Sequence, residues 1–420
     1  MKTCKVVVLG SGGREHALSW KLSQSSLAEI VYTIPGNAGI PNSVNIPLND
    51  FSELHAFCLE NSISLIVVGP ESVLSQGISD FFRKTDIRVW GPGTSAARLE
   101  SSKIFSKQFM SRNNVTTAQF IKLSSPYSRA DIENAVNCFH ERVVIKYDGL
   151  AAGKGVFVCS SKKEIDSALE QIKEKFGSDA PLVFEQLLVG PELSFIGMTD
   201  GKTIKLFPEA QDHKRLLDGD AGPNTGGMGA YTPVKICTEE VRREVFASII
   251  EPTLVGLQKE QIDYKGFIYF GVLLHEGKPY LLEYNVRLGD PEAEVLLPAL
   301  SSDLLEAILW ALEGKLTEVD FVIRNEHFVD IVLCSGGYPD EYKTGLEITG
   351  LHSIPEEVIV FHSATVLKNG TLSTNGGRVL NIVARGKDFS AAKNAAYRAC
   401  HAISFEGMHY RKDIGAGNSQ

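Results

Sequence analysis

Cys4-Lys5-Val6-Val7-Val8-Leu9-Gly10-Ser11-Gly12-Gly13-Arg14-Glu15-His16 decides the first domain: an apolar run, a glycine-rich turn, then a helix-compatible stretch over 14–23. Apolar residues without polar alternation predict a strand buried on both faces, as in a parallel sheet covered by helices. The same strand-then-amphipathic alternation returns at 30–33, 65–69 and 87–90. Residues 1–100 therefore read as a doubly wound α/β domain. Gly10, Gly12 and Gly13 let backbone amides approach an anion at a helix N-terminus, which suits a phosphate. A tight turn needing glycine for backbone reasons alone is the simpler alternative. A dinucleotide fingerprint is excluded, because Glu15 stands where its last glycine belongs. Pro35-Gly36-Asn37-Ala38-Gly39 and Gly69-Pro70-Glu71 follow two further strands and share the same carboxyl edge, where such folds bind ligands.

The 420 residues suffice for about three domains. Hydrophobic residues at 43% and charged residues at 22% are ordinary for a globular chain. With 42 Lys and Arg against 51 Asp and Glu, the net charge of −9 lacks the basic field that binding a phosphate backbone requires, so no nucleic-acid partner is expected. No apolar stretch approaches the ~20 residues of a membrane span and no secretory h-region opens the chain, so a cytoplasmic protein without membrane contact is expected. Seven cysteines are scattered without a Cys-x-x-Cys pair, and each is expected to be a small buried thiol. The ten histidines form no ligand spacing, so a metal would need oxygen ligands.

After Ser101 the pattern becomes mixed α+β: a helix over 103–112, irregular polar sequence, then strands at 143–146, 156–160, 182–186, 192–199, 203–208, 266–275 and 279–284. Long helices are expected near 238–260 and 303–313. Residues 101–323 are taken as one two-lobed unit and 324–420 as a smaller α+β domain with strands at 329–334, 358–367 and 379–385 and a helix over 390–403.

Three further segments carry chemistry. Lys146-Tyr147-Asp148-Gly149-Leu150-Ala151-Ala152-Gly153-Lys154-Gly155 reads as a strand lysine followed by a glycine-rich hairpin with a second lysine, suited to closing over a polyphosphate. Neither Lys146 nor Lys154 has an evident acidic partner nearby in sequence. In Glu283-Tyr284-Asn285-Val286-Arg287, alternate residues share a strand face, so Glu283 and Asn285 can offer two oxygens to a hard cation while Arg287 grips a carboxylate or phosphoryl group. The polar stretch from Gln211-Asp212-His213-Lys214-Arg215 to Asn224-Thr225-Gly226-Gly227-Met228-Gly229 is too long for a passive connection and reads as a functional loop. A surface hairpin, an exposed polar strand and a disordered loop are the respective plain alternatives.

Jointly, and in order along nearly the whole chain, these segments resemble the phosphoribosylamine-glycine ligase (glycinamide ribonucleotide synthetase) family of the ATP-grasp superfamily. Tyr-Arg-Lys-Asp-Ile-Gly at 410–415 adds to the likeness. Pro191 and Leu288 depart from the family pattern, which has an acidic residue and Phe there. The resemblance implies an ATP-grasp fold with a mobile lobe near 120–190. It also implies ligation of glycine to 5-phosphoribosylamine in purine synthesis, with ATP spent through a glycyl phosphate and Mg2+ or Mn2+ as cofactor. By resemblance Lys103, Lys146, Gly153, Lys154 and Gly155 contact ATP phosphates, and Glu185, Leu187 and Glu192 hold adenine and ribose. Glu283 and Asn285 bind the cation, Arg287 and Asp212 position glycine and the acyl phosphate, and Gly10, Gly12, Gly13, Gly36, Asn37 and Glu71 receive the ribose phosphate. A monomer in transient contact with neighbouring purine-pathway enzymes is expected. The alternatives are an ATP-grasp ligase for a different amine and a non-catalytic nucleotide sensor.

Overall fold

A computed structural model describes residues 2–151 and 154–418. Its first sheet holds β1 (Cys4–Gly10), β2 (Ala28–Pro35), β3 (Leu65–Val68) and β4 (Arg88–Trp90), all parallel in the order β2-β1-β3-β4. The continuous apolar run of β1 is used on both sides: Val6 and Val8 enter one core cluster, Val7 and Leu9 the other. Leu65 and Val67 are divided from Ile66 and Val68 in the same way, so the sheet separates two packed layers. The helix Gly13–Leu22 starts where the Glu15 carboxylate turns back to accept the Gly12 amide at 2.7 Å.

The second sheet, in the order β5-β8-β6-β7, is antiparallel and small: β5 (Phe120–Leu123), β6 (Val143–Tyr147), β7 (Val156–Cys159) and β8 (Leu182–Gln186). The helices Arg129–Cys138 and Lys162–Phe176 cover it. Its core of Leu123, Ile145, Ile165, Ile172, Leu182, Phe184 and their neighbours is a cluster apart from the two that run through the rest of the molecule. The expectation of irregular polar sequence after 112 is corrected here. Ser128 and Asp131 form a capping box that starts a helix, and β5 pairs with β8.

The third sheet is built from β9 (Glu192–Thr199) and β10 (Ile204–Leu206), joined further along the chain by β15 (Gly266–His275) and β16 (Lys278–Asn285), in the order β10-β9-β15-β16. Between them come β11 (Gln211–Asp212), β12 (Arg215–Leu217), β13 (Ala221–Asn224) and β14 (Gly229–Thr232). β12 and β13 pair only with each other, whereas β11 and β14 join the last sheet, β11-β14-β17-β21-β18. That sheet adds β17 (His327–Cys334), β18 (Ile359–His362) and β21 (Arg378–Gly386), with β19 (Thr365–Lys368) and β20 (Thr371–Thr374) as a separate hairpin. Strands from the central segment therefore complete the C-terminal sheet.

The expected strand at 358–367 divides into β18 and β19, because the amides of Ser363 and Ala364 both turn to the Val379 carbonyl. The expected helix at 238–260 carries a wide π turn over Phe246–Ile250. Pro252 has no N–H for the Ser248 carbonyl four residues back, and that carbonyl accepts the Thr116 amide at 3.0 Å instead. Six cysteines are buried, while Cys138 is exposed, contrary to expectation. No helix among the described residues is long and apolar enough to cross a membrane.

The separate core of the small lobe gives a test. Phe184→Ala should cost ~3–5 kcal/mol, the range for emptying a buried aromatic site. In amide hydrogen exchange the loss should be confined to residues 120–186 and leave the parallel sheet as protected as before.

Candidate active site

β16 carries the centre of the site. Its ladder with β15 shifts between Gly271 and Val272, so Leu282 is the extra residue between Leu281 and Glu283. The shift leaves Leu282 and Glu283 both half-buried between the two lobes, while Leu281 and Tyr284 stay in the core. Asn285 ends the strand, and Arg287 comes back beside it: its Nη2 donates to Asn285 Oδ1 at 3.2 Å.

The guanidinium of Arg287 is held on two other sides. Nε meets Glu71 Oε2 at 3.2 Å and Nη2 meets Glu100 Oε1 at 2.9 Å. Glu100 also accepts the Val286 amide on Oε2 at 2.7 Å, which fixes the backbone that presents Arg287. Burial pushes Glu100 up to about 7, with Glu71 and Glu283 adding repulsion and Arg287 opposing it. Glu71, facing the same arginine and Arg14, is held below the usual carboxylate range despite its burial.

Across the interlobe cleft, Glu185 is 2% exposed and sits between two lysines, Lys107 and Lys146, each at 2.8 Å. Lys146 also donates to the Leu282 carbonyl at 3.3 Å. The reading of Lys146 as lacking an acidic partner is corrected by this pair. The partner is distant in sequence but lies on β8, beside β6 in the sheet. Burial lowers Lys107 to about 8 against the pull of Glu185, while Lys146, facing Glu185 and Glu283 together, is raised. Lys103 donates to the Gly149 carbonyl at 2.9 Å, and Asp148 caps the helix Lys103–Arg112 through the Ile104 amide at 3.0 Å. The base of the 149–155 hairpin is thus tied to that helix. Lys154 and Gly155 are described, but Gly153 lies outside the described residues.

Glu283 faces Lys146, Lys214, Lys103 and Arg287, and these four cations hold its carboxyl below the usual range although burial acts in the other direction. Asp212 lies on β11, near Lys214, Glu292 and Glu192. Burial and the two glutamates push it up to about 7 against Lys214. Lys214 reaches Glu192 Oε2 at 2.7 Å, and Ser194 Oγ donates to Glu292 Oε1 at 2.8 Å. Among the described residues no three His, Cys, Asp or Glu side chains converge on a metal position. A divalent cation would have to be held by Glu283, Asn285 and ligand oxygens. An ionised carboxylate and an amide oxygen on one strand end fit a hard cation that keeps most of its shell from phosphates.

The glycine loops of the first domain are closely lined. Glu15 fills the space beside Gly10 and Gly69, where an added Cβ would lie 2.5 Å and 2.0 Å from it. A Cβ on Gly13 would meet Asn381, Glu294 and Ser363, and one on Gly36 would meet Ser43. Asn37 donates to the carbonyls of Ser11 at 2.7 Å and His362 at 2.8 Å and so joins the two outer domains. Gly12 is the most open of these positions, with Asp290 nearby. Arg378 reaches the same corner, donating to the carbonyls of Gly226 at 2.8 Å and Asp290 at 2.9 Å.

Sequence reading missed Glu100, Lys107 and the small apolar cluster of Ala118, Leu188, Leu273, Tyr280 and Leu282, which lies near Lys146 and Leu187 at the lobe junction. Glu100 and Lys107 sit on plain helices with no motif around them, and the apolar residues are gathered from three separate segments.

Residues 4–100, 101–293 and 328–417 match, respectively, the N, ATP-grasp (A) and C domains of phosphoribosylglycinamide synthetase. The phosphoribosylamine–glycine ligase of Clostridium acetobutylicum is 42% identical over 417 residues, 98% of this chain and 99% of the relative. The crystal structure of the phosphoribosylamine–glycine ligase of Thermotoga maritima aligns with a TM-score of 0.84 at 36% identity, covering 97% of this chain and 99% of that one. The trifunctional purine biosynthetic protein adenosine-3 of Homo sapiens is 42% identical over 424 residues, 98% of this chain but 42% of its own length.

Glu185→Gln should destabilise the small lobe by ~3–5 kcal/mol, as expected when one member of a buried ion pair is removed and the other is left uncompensated. Urea unfolding followed by a probe in that lobe measures it. An additional Lys107→Met change should recover much of the loss.

Proposed function

The chain belongs to the phosphoribosylglycinamide synthetase family, and from that premise we propose how its residues divide the work of the reaction. Its activity is that of an ATP-grasp carboxylate–amine ligase of purine synthesis: glycine and 5-phosphoribosylamine are joined at the cost of ATP. The glycine carboxylate takes the γ-phosphoryl group and ADP departs. The phosphoribosylamine nitrogen then attacks the acyl carbon, loses a proton, and inorganic phosphate leaves. No protein nucleophile is required, since positioning and charge stabilisation carry such chemistry.

The observation that supports this division is the ring of Lys103, Lys146, Lys214 and Arg287 about Glu283. Lys146, Lys214 and Arg287 are already matched by Glu185, Glu192, Glu71 and Glu100, so polyanionic groups would meet donors held in place by carboxylates. Lys103 and Lys146 serve the ATP phosphates, with the 149–155 hairpin covering them. The apolar cluster around Leu188, Leu273 and Leu282 receives adenine, with Glu185, Leu187 and Glu192 along that edge. Glu185 acts by holding Lys146. Glu283 and Asn285 hold a divalent cation, Mg2+ or Mn2+, which when bound screens the phosphate charge. Arg287 forks toward the glycine carboxylate and the departing phosphate from the seat that Glu71 and Glu100 give it. Asp212 and Lys214 lie on the glycine side. The ribose phosphate takes the corner of Gly10, Gly12, Gly13, Gly36, Asn37 and Glu71. We further assign domain limits of 1–100, 101–323 with a mobile lobe at 120–190, and 324–420. The chain is assigned to the cytoplasm as a monomer, in passing contact with neighbouring purine-pathway enzymes.

ADP release measured with each substrate omitted in turn tests the activity: full turnover should require both glycine and phosphoribosylamine, and undiminished turnover with another amine would favour a different ligase. Glu283→Gln should lower turnover by about 100-fold or more, the usual size of losing a preorganised electrostatic contact, with circular dichroism still that of the folded chain and an unfolding midpoint lowered only by the loss of the carboxylate that faces four cations. Amides of 147–151 and 154–156 should gain hydrogen-exchange protection with MgATP; equal protection in both states would leave the hairpin no covering role.

A further inference from the structure

The excursion between Asp212 and Gly229 leaves the site on one strand and returns on its neighbour, and little of it is buried. Leu217 and all of Ala221–Asn224 are exposed, and the β12–β13 pair has three and four residues with an irregular register. A hairpin of that size has no stability of its own in water. Yet it carries Lys214, whose Nζ must stand against Glu192 and near Asp212 and Glu283.

What holds it is the segment 409–415. Arg411 is 1% exposed and makes a two-pronged pair with Asp413, Nε to Oδ1 and Nη2 to Oδ2, both at 2.7 Å. Its Nη1 reaches Asp220 Oδ1 at 2.7 Å and the Arg215 carbonyl at 3.1 Å. The stitching continues through backbone amides. Gly219 donates to Asp413 at 2.8 Å, Lys412 to Asp218 at 2.8 Å, and Gly415 to His213 Nε2 at 3.2 Å. His409 Nε2 stands 3.1 Å from the Leu216 carbonyl. Lys214 is therefore bracketed: His213 on one side and Arg215 on the other are each tied to this segment. Burial keeps His213 neutral, lowered to about 4, as an acceptor for the Gly415 amide requires.

We propose that Arg411, together with Asp413, is a positioning residue for the ligase reaction: from outside the site it fixes the backbone of 213–220 and so sets the Lys214 ammonium against Glu192 and Asp212, where the glycine carboxylate and its acyl phosphate are handled. The proposal rests on the reading that places Asp212 and Lys214 on the glycine side. Arg411 is buried, with its guanidinium turned to Asp413, Asp220 and the Arg215 carbonyl. Its planar fork is what a lysine cannot replace, because one ammonium cannot serve Asp413, Asp220 and a carbonyl in that geometry.

Arg411→Lys and Asp413→Asn test it, with steady-state constants for each substrate and hydrogen exchange on the full chain. Misplacing a site group from a distance should raise KM for glycine about tenfold or more, raise KM for ATP by a clearly smaller factor through the Glu192 edge, and increase exchange in 213–226 but not in 143–186. In the background of Lys214→Met, Arg411→Lys should add little further to the glycine KM, since both changes act through one ammonium. An unchanged glycine KM in both variants, or equal losses for glycine and ATP with a lowered unfolding midpoint, overturns the proposal. If Arg411→Lys does not fold, Asp413→Asn decides by the same criteria. Should Lys214→Met raise the glycine KM while the Arg411 and Asp413 variants do not, the glycine assignment stands and the clasp fails. If Lys214→Met leaves the glycine KM alone, the assignment of this loop to glycine falls, and the clasp with it.

Discussion

One guanidinium joins the first domain to the strand end that bears Glu283 and Asn285. Arg287 is held by Glu71 from the loop after β3, by Glu100 from the helix Thr94–Ser101, and by Asn285 from the strand that also bears Glu283. Taking a guanidinium and two carboxylates out of water is expensive, and only a geometry that uses most of their hydrogen-bonding capacity offsets the cost. These contacts tie the loop after β3 and the helix Thr94–Ser101 to the end of β16.

The opposite wall is organised by the reverse arrangement, one carboxylate between two cations. Glu185 with Lys107 and Lys146 leaves a surplus of positive charge in a nearly dry place. Such a surplus is tolerable because Glu283 stands across the cleft and faces Lys146. The small lobe that carries Glu185 and Lys146 has its own core, separate from the packing beneath Arg287.

Much of this was legible in the sequence. The apolar run of β1 and the glycine turn after it announced the parallel sheet, and the alternation of Glu283, Asn285 and Arg287 put three polar groups at one strand end. The limits of β8, β9 and β15 were readable from composition alone. Contacts between segments far apart in sequence were not. The Glu185 pair with Lys146 joins residues on neighbouring strands, Glu100 reaches Arg287 across 187 positions, and Glu15 occupies the glycine turns that seemed open to an anion. Nothing local in a helix such as Thr94–Ser101 says that one glutamate will be buried against an arginine from another domain. The π turn at Phe246–Ile250 was signalled only by Pro252, and its consequence depended on the Thr116 amide that arrives to use the freed carbonyl.

The placement of β14 bears on how the chain can be divided. Gly229–Thr232 is buried throughout and pairs residue for residue with Phe328–Ile331, although nearly a hundred positions separate them. A chain cut after 323 would present that strand as a bare edge with its ladder groups unpaired and its apolar side chains wet, a template for association with other copies. The remaining piece would lose one flank of its sheet. The smallest autonomous unit is therefore set by this crossing strand and not by the limits of the sequence segments, and complementation between two separately expressed halves would succeed only where the cut spares it.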